Sequence, residues 1–120
     1  MNFIGIVAAL SAFLDIWLGH VAVRKIEFIS PTIWLPTLIF AAAGITLELF
    51  SLSTGNRPMS TVFGILGITA LWDALEFTRQ QRRIRKGHAP ANPDNPRHAK
   101  ILAEYPAATT VDLLKRTSVR

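Results

Sequence analysis

The 120-residue sequence contains no cysteine. Without thiols the chain forms no disulfide, offers no thiolate nucleophile and has no cysteine ligand for zinc or an iron–sulfur cluster. His20, His88 and His98 are not spaced with other ligands as in a metal site. No nucleophile elbow, no Gly-rich phosphate loop after a strand and no HExxH motif occurs. We therefore expect no metal, no cofactor and no enzymatic activity.

Charge is scarce in the first 78 residues. Three of the thirteen Lys and Arg residues lie there, and the other ten lie in 79–120. Half of the chain is hydrophobic and the mean hydropathy is +0.32. Over its first 78 residues the chain is more apolar than an ordinary soluble domain of this size. The segregation predicts a membrane domain over 1–87 and a polar tail over 88–120.

Three windows are long and apolar enough to cross a bilayer, whose hydrocarbon core of about 30 Å takes roughly 20 helical residues. They cover about 3–23, 32–53 and 59–78. The first window has no basic leader, and its apolar stretch is longer than that of a typical signal peptide, so we interpret it as a retained helix. Short connections over 24–31 and 54–58 make neighbouring helices antiparallel.

The basic residues predict the orientation of these spans. Arg24 and Lys25 in the first connection fall on the same side of a three-span protein as the basic run over 79–86. The other side carries only Arg57 and the N-terminus. The positive-inside rule therefore predicts an outside N-terminus and a cytoplasmic C-terminus in a plasma membrane.

The predicted fold is all-α: three transmembrane helices, the third continuing into a basic cytoplasmic helix, and then a Pro-rich tail. Pro90, Pro93 and Pro96 prevent the third helix from continuing. Beyond them, 97–104 and 110–116 are predicted as short helices, the second with a threonine N-cap. Helices this short are not stable alone in water, so the tail is either mobile or docked on a surface.

Stripes of small residues follow each predicted span. Lipid tails give helices no hydrophobic reason to associate, so small residues mark places of close approach. Ala and Gly are common in any membrane helix, but an acidic residue in two of the stripes favours real packing seams. The stripes consist of Gly5, Ala8, Ala12, Asp15 and Gly19 in the first span; Thr37, Ala41, Gly44, Glu48 and Ser51 in the second; and Ser60, Gly64, Gly67 and Ala74 in the third.

Acidic residues within the spans are candidate functional groups, because a charge at the bilayer centre costs about 2.5–3.5 kcal/mol on insertion scales. Asp15 lies near mid-span. It is either protonated and hydrogen-bonded to a neighbouring helix, or a proton or cation relay, or a contact to another subunit. Glu48 is expected in the outer half and Asp73 in the inner half. A relay usually needs polar groups across the whole membrane, and the outer half of these spans offers few besides Glu48.

Glu76 is expected near the cytoplasmic interface, at the depth of His20 and Arg24. Equal depth and opposite charge suggest an ion pair between Glu76 and one of these two residues, which would pin the first span to the third. In the alternative interpretation all three side chains extend to the lipid headgroups.

The basic run after the third span has three interpretations. It anchors the helix beside anionic headgroups, worth up to about 1 kcal/mol per charge, or it docks an acidic protein, or it binds nucleic acid. The tail has few aromatic side chains for base stacking, so we expect no nucleic-acid partner. The run consists of Arg79, Arg82, Arg83, Arg85 and Lys86.

Two blocks of residues stand out together in the sequence. The first block is His20 with Lys25, Glu27 and Phe28; the second is Leu71, Trp72, Glu76, Gln80, Arg83, Ile84, Lys86, Gly87, Pro90, Asn92 and Pro93. These blocks resemble a family of small bacterial membrane proteins of unknown function with three predicted spans. Val21 stands where the family often has proline, and His88-Ala89 stands where it often has two aromatics. The resemblance covers about 1–93 and implies an architecture but no activity.

We therefore expect a non-catalytic membrane protein that serves as a small accessory subunit of a larger complex, for example a respiratory or photosynthetic assembly. Its expected partners are other membrane protein subunits and anionic lipid headgroups, with the junction after the third span as the recognition element. One alternative is an oligomeric proton or ion transporter that uses Asp15, Glu48, Asp73 and Glu76. Another is a membrane-anchored enzyme or regulator.

Overall fold

A computed structural model describes residues 1–119 of the chain as four helices and a small hairpin. Helices α1 to α3 are each long and apolar enough to cross a membrane. The strands are antiparallel, with Val111 opposite Ser118 and Asp112 opposite Thr117. The elements are α1 (Ile4–Ile29), α2 (Trp34–Ser53), α3 (Arg57–Arg85), α4 (Pro96–Glu104), β1 (Val111–Asp112) and β2 (Thr117–Ser118).

Helix α1 is longer than the predicted first span. The prediction that 24–31 forms a connection is wrong for its first six residues, which remain helical to Ile29. No helix breaker occurs there until Pro31, which disfavours helical backbone at Ser30 before it. The true connection is only 30–33, so Arg24, Lys25 and Glu27 project from the last turns of a helix.

Helix α3 begins after an asparagine N-cap and is longer than one membrane crossing requires. The Asn56 side chain accepts a hydrogen bond from the Met59 N–H at 3.1 Å, and proline follows in the first turn. The 29 residues of α3 span about 43 Å at 1.5 Å per residue, against about 30 Å of hydrocarbon. Helix α3 is therefore longer than the hydrocarbon core is thick.

The end of α3 is a Schellman motif. The N–H of Gly87 donates to Ile84 O at 3.1 Å, and the N–H of His88 donates to Arg83 O at 2.8 Å. Gly87 has a φ of 77°, the left-handed conformation that this motif requires. A Cβ at this position would also collide with the carbonyl oxygen of Ala107. Gly87 thus ends the helix and lets the tail turn back.

Helix α3 packs against both α1 and α2. At Gly44 of α2, an added Cβ would lie 2.8 Å from Gly67 O, so the two backbones approach closely. The Ser51 hydroxyl donates to Ser60 O and the Ser60 hydroxyl donates to Ser51 O, both at 2.8 Å. The second and third small-residue stripes therefore meet as one helix–helix seam.

The first stripe is only partly used within the chain. Gly19 is buried against α3, and an added Cβ would lie 2.5 Å from an oxygen of the Asp73 carboxyl group. Gly5, at the other end of the stripe, has nothing within 4 Å of an added Cβ. Small residues on α1 thus make room for an acid of α3 at one end and leave the other end open.

The tail folds back on the chain. Helix α4 confirms the helix predicted over 97–104, but the second predicted helix, over 110–116, is wrong. The Asp112 side chain accepts hydrogen bonds from the backbone N–H groups of Leu114 and Lys115, a local turn that competes with helix. Residues 111–118 therefore form a hairpin. A small core of Ile84, Ala91 and Ile101 joins the end of α3 to the tail.

Candidate interaction site at the end of helix α1

The side chain of Glu27, in the last turns of α1, is completely buried. Its Oε1 accepts a hydrogen bond from Arg97 Nη1 at 2.6 Å and lies 2.9 Å from His98 Nε2. The Arg97 side chain is only 13% exposed. A buried carboxylate is tolerated when it is paired and hydrogen-bonded. Glu27 is therefore the anchoring point of α4 on α1, across some seventy residues of sequence.

His98 is held in a single tautomer. Its Nδ1 accepts the backbone N–H of Asn92 at 2.9 Å. Because Nδ1 accepts, the proton of the neutral ring is on Nε2, which donates to Glu27. The contact between His98 and Glu27 is thus a hydrogen bond donated by the imidazole to the carboxylate, and the ion pair of Glu27 is with Arg97. The Phe28 ring lies edge-on to the imidazole, with centroids 6.1 Å apart.

The free carbonyl groups at the end of α1 are capped by side chains of the tail. Phe28 O accepts from Asn92 Nδ2 and from Asn95 Nδ2, both at 3.1 Å. Ser30 O accepts from Asn95 Nδ2 at 2.9 Å and from Arg97 Nε at 3.3 Å. The last carbonyl groups of a helix have no hydrogen-bond donors within the helix. Side chains of the tail supply these donors to α1.

The tail positions these side chains through its own local structure. Asn95 Oδ1 accepts the N–H of Arg97 at 3.0 Å and caps α4, whose first residue is Pro96. Arg97 Nη1 also donates to Gln81 Oε1 of α3 at 2.6 Å. One guanidinium therefore joins α1, α3 and α4. We call this set the Glu27 lock: Glu27, Asn92, Asn95, Arg97 and His98.

The junction residues of α3 have a positioning role. Glu76 is buried; its carboxylate pairs with Arg79 at 2.9 Å and with Arg83 at 3.6 Å. Gln80, also buried, accepts from Arg83 at 3.0 Å. The guanidinium of Arg79 lies 4.6 Å from the centroid of the Trp72 ring. Glu76 and Gln80 thus fix the arginines, which are about half exposed.

The predicted ion pair between Glu76 and His20 or Arg24 does not form. Within residues 1–119, no ion pair within 4.0 Å joins these groups, and Arg24 Nε instead donates to His20 O at 3.3 Å. Arg79 and Arg83, one and two turns further along α3, pair with Glu76 instead. Arg24 and Lys25 likewise contact no carboxylate within 4.0 Å in the described part of the chain.

The acids inside the membrane helices fall into two places. Asp15 and Asp73 line one cavity of about 240 Å³ between the helices, beside Gly19 and Phe40. Glu48 lies elsewhere, against Gly67. Within residues 1–119, the Oδ2 atom of Asp15 is buried without a hydrogen-bond partner, and no group of three His, Asp or Glu side chains is arranged to hold a metal.

A larger cleft of about 940 Å³ lies between the end of α1, the end of α3 and the hairpin. Four cationic side chains line it: Arg24, Lys25, Arg83 and Lys115. Its other walls include apolar side chains of α1 and of the hairpin tip, among them Val21, Leu113 and Leu114. Such a combination suits an anionic group attached to an apolar body.

Three residues of the lock were missed from the sequence: Asn95, Arg97 and His98. They lie beyond the resembling blocks: Asn95 is in the Pro-rich segment, and Arg97 and His98 are in the short helix predicted over 97–104. The topology of the chain was the signal that could have indicated this contact. With three spans, the connection after the first span and the tail after the third lie on one side, where the Glu27 and Asn92 blocks can meet. The structure brings these blocks together.

Three apolar helices joined by short connections, with the polar tail folded onto one end, define a small three-helix membrane protein. The chain belongs to a family described as a domain of unknown function, DUF4491, whose model matches residues 2–95. No curated protein and no solved structure matches the chain. The match ends at Asn95, so Arg97 and His98 of the lock lie just outside it.

Proposed function

We propose that this protein is a non-catalytic integral protein of the bacterial inner membrane and an accessory subunit of a larger membrane protein complex. In this proposal the N-terminus lies outside and the Glu27 lock lies in the cytoplasm. The excess of basic residues supports that orientation, since ten of the thirteen belong to residues 79–120 and the first connection contacts the same tail.

The observation that carries this proposal is the rigid presentation of the basic junction. The Glu27 lock and the Schellman turn hold particular polar groups of the tail in contacts within the chain itself. What faces outward is a set of cations on an ordered support, which we call the junction platform. An ordered support lowers the entropy that binding must overcome. The platform consists of Arg79, Arg82, Arg83 and Lys86.

The membrane helices offer a second contact surface. Only 11% of the most apolar window of each helix is buried within the chain. Bulky side chains such as Phe13, Trp17 and Trp34 are more than half exposed. Lipid tails or helices of another subunit can cover this surface, and the open Gly5 end of α1 permits a close approach. An acidic membrane subunit fits both surfaces.

The test is purification of the tagged full chain from its native membranes in a mild detergent. We expect a complex of defined mass and fixed stoichiometry. Arg82→Glu combined with Lys86→Glu should release the partner, because both substitutions place like charges against an acidic surface. Arg57→Glu, at the opposite end of α3, is the control and should leave the complex intact. A wild-type chain that purifies alone, or only as a homo-oligomer, would overturn the proposal.

A second candidate function is supported by one observation, the shared cavity of Asp15 and Asp73. Two acids in one site between membrane helices are a typical arrangement for proton or ion translocation. Reconstituted wild-type protein would then carry protons into liposomes, and Asp15→Asn would abolish the flux. Glu48→Gln, outside that cavity, is the matched control. Equal flux through all three proteins would exclude this function.

A further inference from the structure

The 940 Å³ cleft beside α1 combines charge with apolar surface in an ordered geometry. Arg24 and Lys25 line it from α1, Arg83 from α3 and Lys115 from the hairpin. Among the described residues two acids, Glu27 and Asp112, also line it, so its four cations are in excess even with both acids charged. Glu27 is paired with Arg97, and the Asp112 carboxylate accepts two backbone N–H groups of its own turn. The cleft therefore presents an excess of positive charge.

The position of the cleft relative to the bilayer follows from the length of α1. Twenty residues of helix span about 30 Å, which takes α1 from Ile4 to Val23. Arg24 and Lys25 are the next two residues, so they lie at the headgroup level. Cleft residue Val21 lies one turn earlier, within the apolar region. The cleft thus extends from the hydrocarbon into the headgroup layer.

The hairpin supplies the wall opposite α1, and its tip is apolar. Leu113 is 58% exposed and Leu114 is 91% exposed, although both lie in a short turn of a polar tail. Lys115 and Arg116 follow directly. Apolar side chains followed by cations are typical of segments that insert into the membrane interface.

We propose that this cleft is a binding site for one anionic phospholipid. Arg24, Lys25 and Lys115 hold its phosphate, with one acyl chain running along Val21 and the other against the leucines of the hairpin tip. This site goes beyond the accessory-subunit function and beyond a general attraction between the basic run and the membrane. It selects headgroup charge at a defined place, and it requires no partner protein.

The test uses the purified full chain in detergent, without any partner, and counts bound lipids by native mass spectrometry. Phosphatidylglycerol and phosphatidylcholine with the same acyl chains are added separately. We expect one retained phosphatidylglycerol and at least tenfold weaker retention of phosphatidylcholine. Each cation near the phosphate contributes about fivefold in affinity. Arg24→Gln combined with Lys25→Gln should therefore weaken retention about 25-fold, and Lys115→Gln alone about fivefold.

The matched control removes the same charge outside the cleft, with Arg57→Gln combined with Arg82→Gln, and should retain phosphatidylglycerol like the wild type. Soluble glycerol phosphate at the same concentration should not displace the lipid, because it lacks acyl chains. Three results would overturn the proposal: equal retention of the two lipids, equal losses in the cleft and control variants, or displacement by glycerol phosphate. The Lys115 variant tests the site without touching a membrane helix.

Discussion

Replacing Arg97 by alanine tests the Glu27 lock most directly. The substitution removes the ion pair to Glu27 and the hydrogen bonds to Ser30 O and Gln81, and it leaves a carboxylate with no exposed surface. Breaking a buried ion pair by removing one partner costs about 3–5 kcal/mol. Because the Arg97 side chain keeps some contact with solvent, we take the lower end, about 3 kcal/mol.

Amide hydrogen exchange of α4, followed by mass spectrometry on the detergent-solubilised protein, measures this loss. A nine-residue helix is not stable alone, so its protection reports docking on α1. A cost of about 3 kcal/mol increases the population of the undocked state about 100-fold. The α4 amides of Arg97→Ala should therefore exchange about 100-fold faster than those of the wild type.

Two comparison proteins make the result decisive. Arg82→Ala removes an exposed arginine of α3 and should change α4 exchange by less than about threefold. Glu27→Gln combined with Arg97→Met removes both charges and keeps the volume, so it should exchange more slowly than Arg97→Ala. If Arg97→Ala exchanges like Arg82→Ala, or if the double variant exchanges faster than Arg97→Ala, the lock does not hold the tail.

Three further substitutions have definite expected outcomes. Gly87→Ala should destabilise tail docking by more than about 1–2 kcal/mol, the cost of a left-handed non-glycine residue, seen as faster α4 exchange. Gly44→Ala should lower the thermal unfolding midpoint in detergent, since overpacking against Leu71 costs about 1–3 kcal/mol; Gly5→Ala, in open space, should leave it unchanged. Asn95→Ala loses an N-cap worth about 1 kcal/mol and two carbonyl contacts, so α4 exchange should rise at least tenfold while α2 exchange stays constant.

The membrane part of the fold was predictable because its signals are local. Hydropathy and length define three helices, and the proline-rich turn and short helix of the tail follow from their own residues. Two errors have physical causes. Nothing ends α1 before Ser30, so it continues through a charged segment that hydropathy assigns to a connection. Asp112 binds its own backbone, so the predicted second tail helix becomes a hairpin.

The lock could not be derived from one sequence because its parts lie about seventy residues apart. From the sequence alone, Glu27 is expected at the membrane interface and Arg97 is expected on an exposed surface. Only the spatial meeting of α1 and the tail makes the first fully buried and the second its partner. The case of Glu76 is the opposite, because Arg79 lies three residues along the same helix and is close to it without any tertiary contact. Local pairs outcompete distant ones of equal depth unless packing intervenes.

The pairing of Glu27 with the tail couples docking of the tail to the membrane crossing of α2 and α3. Glu27 emerges with the first helix, whereas Arg97 and His98 emerge only after the third. The two can meet only if an even number of membrane crossings lies between them in the chain. With an odd number they would lie on opposite sides of the bilayer. If exactly one of the helices α2 and α3 failed to insert, Glu27 would be unpaired on one side of the membrane and the tail would lie on the other. Docking of α4 on Glu27 therefore requires that α2 and α3 both cross the membrane or that neither does, and it excludes a chain in which only one of them crosses.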